Sequence, residues 1–419
     1  MLRTDRAPHA RFAALLMVLA GGARYHRLVP HTPPVAGPGD TTTSAPPIRR
    51  PRAARRTERV GSPTAPPVLV EVHRGETIES CHRGHIVQVD AAGAVIRAAG
   101  TPDVAVLLRS TVKPFALVAL IESGAADDLA LTPTELAIMC ASHTGEDKHV
   151  RTLQGIFRRA SVTQALLRCG TEGAPADPRT AARLVRDGET ASPIRHGCSG
   201  FHAASILLSA YAGWSLADYT DPAHPSQVAI RDTVARLFGR RAAALRTSPD
   251  NCGVLTYEVP LVEVARAYLL LADPDGSAPD APRARSAPAL TRIRDAMMAA
   301  PEMVGGTYES LDTELMRRRP GRLVAKAGAD GMRAVGMLAG RGDAGAPASG
   351  LAIKIEDGDL SRRAIKAATV EALAQLGAID DRDLRALAAF RHPAVRTPAG
   401  VEAAIASPRF ELAPLGELT

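Results

Sequence analysis

The segment Arg109-Ser110-Thr111-Val112-Lys113 carries a hydroxyl and an amine three residues apart. At a helix start that spacing sets both side chains on one face. A buried lysine there loses its charge to desolvation and can take the serine proton, which turns the hydroxyl oxygen into a nucleophile. The chain has 51 basic residues, and only five of them are lysines: Lys113, Lys148, Lys326, Lys354 and Lys366. Where Arg serves as the general cation, a retained Lys points to a need for a compact amine that can deprotonate. For Ser110 alone, a capping serine at an exposed helix start accounts for the same residues.

Four other segments carry chemistry-bearing side chains. Ala141-Ser142-His143-Thr144-Gly145-Glu146 follows a helix that begins at Thr132, as a plain turn or a site loop. His196-Gly197-Cys198-Ser199-Gly200-Phe201-His202 opens another helix, and Asp250-Asn251-Cys252-Gly253 forms a turn. Their two thiols, each beside Asp or His, are of the type that binds metal, although their separation carries no metal signature and two unrelated buried cysteines are the plainer reading. Val324-Ala325-Lys326-Ala327-Gly328 has a Lys at a strand end with Gly two residues on. S-x-x-K and a K-T-G strand are signatures of penicillin-binding proteins and serine β-lactamases. Here Ala stands at the middle position of the second, and no S-D-N match accompanies them. Such a strand sets Lys326 opposite Ser110 or Ser142; a solvated Lys at a hairpin turn is the alternative.

These residues need elements to hold them. Val68 to Val72 alternates as a strand, Ile86 to Val89 is a second that ends in the turn Asp90–Gly93, and Val104 to Leu108 a third. Thr132-Pro133-Thr134-Glu135 reads as a capping box with Pro at the first helical position. Helices are expected over His202–Tyr211, Gln227–Phe238 and Pro260–Ala272, with an exposed loop or insertion over Pro274–Pro288. Arg322–Lys326 and Met332–Met337 read as paired strands, Leu351–Ile355 as a further strand, and Ile365–Leu376 as a helix capped by Gly377. The order predicts an α+β body with one sheet built from both ends of the chain.

The 419 residues are 46% hydrophobic and 23% charged, a globular composition. The formal net charge of +7 is unevenly spread. Residues 1–66 hold 11 Arg, no Lys and three acidic residues, a net +8, so the rest of the chain carries −1. A basic nucleic-acid face on the body therefore has no compositional support. Residues 1–67 also hold 11 of the 32 prolines and are expected to be a disordered Arg/Pro-rich tail, ahead of one domain at 68–419. The apolar run Phe12 to Ala20 is too short to span a bilayer. It is similar to a signal-peptide core, and export is the minority reading. Five cysteines without a CxxC pair favour reduced thiols and a cytoplasmic setting.

Taken in order, the segments resemble the Ser-Lys L-asparaginases, the asparaginase II or class 3 group. The resemblance covers nearly all of residues 68–419. It rests on Glu79-Ser80-Cys81-His82, Arg109 to Pro114, Ala141 to Glu146, the Cys198 and Cys252 loops, Thr307 to Met316, and Ala325 to Gly331. It implies a fold similar to serine β-lactamases, with a sheet and helices. It implies hydrolysis of L-asparagine to L-aspartate and ammonia through an acyl-enzyme. It also implies two Ser-Lys tandems, Ser110 with Lys113 and Ser142 with Lys326. A homodimer is the assembly it suggests, with no membrane and no nucleic-acid partner expected.

The resemblance further implies a zinc ion held by two Cys and one Lys, with the cysteines at Cys198 and Cys252. Phe201 stands where that Lys is usual, and Gly197 where Asn is usual, so the third ligand is missing. His202, His196 or Asp250 would have to substitute, or the site holds no metal. Arg109, Asp250 and His202 are the substrate-binding candidates, Arg109 for the α-carboxylate and Asp250 for the α-amine. Two other functions stay open: a β-lactamase-like or glutaminase-type serine hydrolase, and a non-catalytic descendant that binds amino acids.

Overall fold

The computed structural model describes residues 65–340 and 345–414. The signal-like run and nearly all of the expected Arg/Pro-rich tail lie outside them. Twelve strands occur among the described residues: β1 Val68–Arg74, β2 Thr77–Val89, β3 Val95–Ala99, β4 Ala105–Leu107, β5 Arg246–Pro249, β6 Leu255–Pro260, β7 Leu323–Ala327, β8 Met332–Met337, β9 Ser349–Ile355, β10 Ala394–Arg396, β11 Glu402–Pro408 and β12 Ala413–Pro414. Nine of them form an antiparallel sheet, with the path β10-β11-β1-β2-β9-β8-β7 and with β3 and β12 beside β2. The long β2 pairs with β1 through its first half and with β3 and β9 through its second. The architecture is mixed α+β, as expected, and both ends of the chain contribute to the sheet.

Side-chain alternation along these strands splits the interior in two. On β9, Leu351, Ile353 and Ile355 point into one core, under the helix Arg363–Gln375. Ala352 points into the other, with Val87 and Val89 of β2 and the helices of the chain's middle. Gly336 and Gly350 are cross-strand partners on β8 and β9. A Cβ on either would collide with the backbone of the helix Leu261–Ala272, at Tyr268 O and Ala265 O respectively. The paired glycines let that helix lie directly on the sheet, which fixes the platform beneath the site.

Several local expectations hold in detail. Thr132 caps the helix Pro133–Met139, with Glu135 completing the box. Gly213, in the left-handed region, ends the helix Ser199–Ala212. Others differ. The run Val104–Leu108 yields β4, which joins β5 and β6 in a separate three-stranded sheet instead of the main one. The span Pro274–Pro288 is not simply an exposed loop. It includes the helical turn Ala281–Ala284, and Ser286 is buried through hydrogen bonds with Glu122 and Arg236. Strands β10 and β11 close the sheet edge after the helix Arg363–Gln375, in a part of the chain where no strand was expected.

Candidate active site

Arg109–Val112 forms a single 3-10 turn that runs straight into the helix Lys113–Glu122. Arg109 has φ +48, an uncommon conformation for a non-glycine residue. The turn is pinned from three sides. Arg109 N donates to Thr256 Oγ1 at 2.9 Å, Leu108 N to Tyr257 O at 2.9 Å, and Tyr268 OH to Thr111 O at 2.9 Å. A strained backbone held this firmly presents its side chains in fixed directions.

Lys113 is buried, and its ammonium turns away from Ser110. Its Nζ donates to Ala141 O at 2.6 Å and lies 3.5 Å from Ser142 Oγ and 3.3 Å from Cys198 Sγ. Among the described residues nothing hydrogen-bonds the Ser110 hydroxyl, which is half-buried. The Lys113 amine thus sits with Ser142, not with Ser110.

Ser142 follows the helix Pro133–Met139, where Ser142 N donates to Val304 O and His143 N to Gly197 O. Those two bonds stitch the loop to residues on either side of the site. Lys326 reaches it from β7 across the sheet end. Its Nζ is 2.9 Å from Ser142 Oγ and 2.8 Å from Ala327 O. Lys326 is fully buried, and burial draws its pKa down to about 7; the Asp312 carboxylate partly opposes this and the Lys113 charge adds to it. Lys113 behaves differently. Burial alone would lower it, but the Cys198 thiolate, backed by Cys252 and Asp250, outweighs burial and raises it. The two lysines that face Ser142 are therefore unlike: one stays charged, and the other is poised to be neutral at neutral pH.

Asp312 supports this division. It sits at the start of the helix Leu311–Arg318, accepts from Ala327 N at 2.8 Å and forms a buried ion pair with Arg333 of β8. Its charge is thus largely shared out before it reaches Lys326. Glu146 braces the far rim by accepting from Thr144 Oγ1, Thr307 N and Thr307 Oγ1. Residue reasoning alone assigned no role to Asp312, Arg333 or Glu146. Asp312 and Thr307 lie within the Thr307 to Met316 segment of the resemblance, which was the one available signal.

Cys198 and Cys252 are brought into contact. Cys198 caps the helix Ser199–Ala212, and a hydrogen bond from Cys252 holds its thiol well below the usual range. Burial opposes this, and Lys113 and His196 add to it; Cys252 itself is pushed up by the same contact and by burial. The residues do not fit zinc. Two sulfurs are present, but no group of three His, Cys, Asp or Glu side chains among the described residues is arranged to hold a metal. Phe201 is buried, with Lys113 Nζ 5.8 Å from its ring centre, so an apolar ring fills the position of a third donor. His202 bonds Tyr219 OH through Nδ1 at 2.7 Å, and burial lowers its pKa to about 4 and keeps the ring neutral. Its buried Nε2 has no hydrogen-bond partner among the described residues, yet it completes no three-donor group with the two thiols. His202 is wholly buried, as Lys326 is, and lies close to Cys198, Cys252 and Lys113. The negative sulfur has a resident partner in the Lys113 ammonium.

Asp250 and Arg109 form a tight pair, with Arg109 Nε and Nη2 at 3.0 and 2.7 Å from Asp250 Oδ1. Arg109 also donates to Asn251 Oδ1 at 2.9 Å. The expected site residues thus fall in one region, which runs from Arg109 through Ser110 and Lys113 to Ser142 and Lys326, with Cys198, Cys252 and His202 beside Lys113. The five cysteines are free thiols.

The antiparallel sheet thus sets a buried lysine, Lys326, against Ser142, with a second lysine, Lys113, beside it. The family model described as L-asparaginase II matches residues 70–407, and the chain belongs to that family. Membership makes it an asparaginase-type amidohydrolase with a small-molecule substrate. No curated protein matches the chain. Among solved structures it is similar to "Crystal Structure Analysis of Mglu", at 15% identity over 72% of this chain and 69% of that one, with a TM-score of 0.30. A second, "Crystal Structure Analysis of Mglu in its native form", has 14% identity over 72% and 67%, with a TM-score of 0.31. No helix among the described residues is long and apolar enough to cross a membrane.

Proposed function

We propose that this chain hydrolyses L-asparagine to L-aspartate and ammonia through a serine acyl-enzyme. The observation that carries the reading is the 2.9 Å contact between Lys326 Nζ and Ser142 Oγ, with the lysine drawn to about 7. A neutral amine at that distance is a general base for the hydroxyl proton. Lys326 takes the proton, Ser142 Oγ bonds to the side-chain amide carbon, and the lysinium returns the proton to the departing ammonia. Water then releases aspartate by the reverse proton path. Lys113 stays charged and offsets the negative charge that builds on the oxygen. No step passes through a metal.

A second assignment of the nucleophile has its own observation. The Ser110 hydroxyl makes no hydrogen bond with the described residues and is adjacent to Arg109. In that assignment Lys113 first leaves Ala141 O to reach the Ser110 hydroxyl, Ser110 attacks, and its proton passes by way of Lys113 and Ser142 to Lys326. Both assignments use Lys326 as the final base. Acid quench during turnover, followed by peptide mass analysis, separates them: a mass increase of the aspartyl group on the peptide holding Ser142 supports the first, and on that holding Ser110 the second.

The test of the function is product analysis with the purified full chain. Ammonia and aspartate from asparagine, with slower or no turnover of glutamine and a chromogenic β-lactam, are the expected result. Turnover of the β-lactam or glutamine in preference to asparagine would favour the broader serine-hydrolase reading, and binding of asparagine without ammonia release the non-catalytic one.

A further inference from the structure

Arg109 faces more than one carboxylate. Besides Asp250 it forms an ion pair through Nη1 with Asp330, in the turn between β7 and β8. That turn directly follows the strand that carries Lys326. The guanidinium is nearly buried at 10% exposure and Asp250 at 13%, whereas Asp330 is 49% exposed. Asp250 Oδ1 is also bonded by Asn251 N at 2.7 Å, so that oxygen is fully engaged. Asp330 thus stands at the outer edge of the cluster, with one face on Arg109 and the other open.

The charges do not balance. One guanidinium stands between two carboxylates, which leaves the group at −1. Of the further cations, Lys113 acts on Asp250 but is taken up by Cys198, and Lys354 donates to the backbone carbonyls of Asp330 and Ile355 and is matched by Glu356 and Asp357. A substrate bearing only a carboxylate would bring a second negative charge to this edge. A substrate with an adjacent ammonium would not, because the ammonium goes to the carboxylates and the carboxylate to Arg109. The backbone is committed to this arrangement, since both Arg109 and Asp330 are held in the left-handed region, at φ +48 and +52.

We propose that Asp330 is a specificity-determining residue that accepts the α-ammonium of the substrate together with Asp250, and so selects free α-amino acids over amides that lack the amine. The inference rests on the amidohydrolase reading above and names how the substrate's head is recognised.

The test compares two amides in the full chain: L-asparagine, and succinamate, which is asparagine without its α-amine. Ammonia release is measured for the unaltered chain and for Asp330→Asn, Asp330→Gly and Asp330→Glu. Asn and Gly both suit the left-handed backbone at this position; Asn removes the charge alone and Gly the whole side chain. Both should raise the asparagine KM by about tenfold with kcat little changed, as expected for losing one charge-assisted contact. The succinamate KM should fall, so the preference for asparagine collapses. Glu should keep the preference. An unchanged preference in Asn and Gly variants would overturn the inference, as would equal rises of both KM values, because those report only a loosened Arg109. Failure of the unaltered chain to release ammonia from asparagine would overturn the functional reading itself, and this inference with it.

Discussion

Lys326 Nζ lies 2.9 Å from Ser142 Oγ, and the two residues are 184 positions apart in the chain. The sheet makes that meeting. Strand β7 brings Lys326 to the sheet end, and the loop after the Thr132-capped helix brings Ser142 to it. Around this pair the lysine is dry and the serine has one further amine, Lys113, at 3.5 Å.

The pH dependence follows from the direction of the Lys326 shift. Its pKa falls from the usual 10.5 to about 7, chiefly through burial. The base is the neutral amine, so turnover should be low below pH 6, rise through about 7 and level off above it. A kcat/KM profile for ammonia release checks this. A rate that falls as pH rises from 6 to 8 would mean that a protonated group, not the neutral lysine, is required.

Metal content should respond to one substitution. The unaltered chain is expected to carry no stoichiometric zinc and to keep its activity in a chelator. Phe201→Lys restores a nitrogen donor beside Cys198 and Cys252 and should raise bound zinc toward one ion per chain, as read by elemental analysis. Zinc at one per chain in the unaltered protein would show that a third donor is supplied in another way.

The paired glycines make a stability prediction that is separate from the chemistry. At Gly350 an added methyl meets Ala265 O and Leu269 N of the helix Leu261–Ala272, which are backbone atoms unable to yield. Gly350→Ala should therefore lose roughly 1–3 kcal/mol of stability, the usual cost of overpacking. Denaturant unfolding measures it. Moving the helix off the sheet also disturbs Tyr268, which braces the Thr111 carbonyl, so activity should fall with stability.

Much of the site was legible in sequence because its residues sit in short local signals. The S-x-x-K step, the capping box at Thr132 and the Lys-Ala-Gly strand end each span a few residues, and the order of the segments along the chain, more than any one of them, carried the resemblance. What was not legible is where a flexible side chain turns. Lys113 is three residues from Ser110, yet its amine goes to Ala141 O and Cys198 Sγ, since the thiolate attracts it more than a neutral hydroxyl does. Cross-chain partnerships were equally hidden. The ion pair of Asp312 with Arg333 and that of Arg109 with Asp330 depend on the β7–β8 hairpin folding back, and no local pattern encodes them. The closing strands escaped for another reason. β10 spans three residues, and β11, Glu402-Ala403-Ala404-Ile405-Ala406-Ser407-Pro408, has three alanines and only Ile405 as a β-branched residue. Pairing with β1 decides its conformation, not its own propensity.

The most direct test of the Lys326–Ser142 account is the rate of ammonia release from L-asparagine by Lys326→Met, with folding verified by its thermal midpoint. Met keeps the length of the side chain and removes the base. The account predicts a loss of about 10²–10⁴-fold in kcat, the usual worth of a general base. Turnover within a few-fold of the unaltered chain would contradict it.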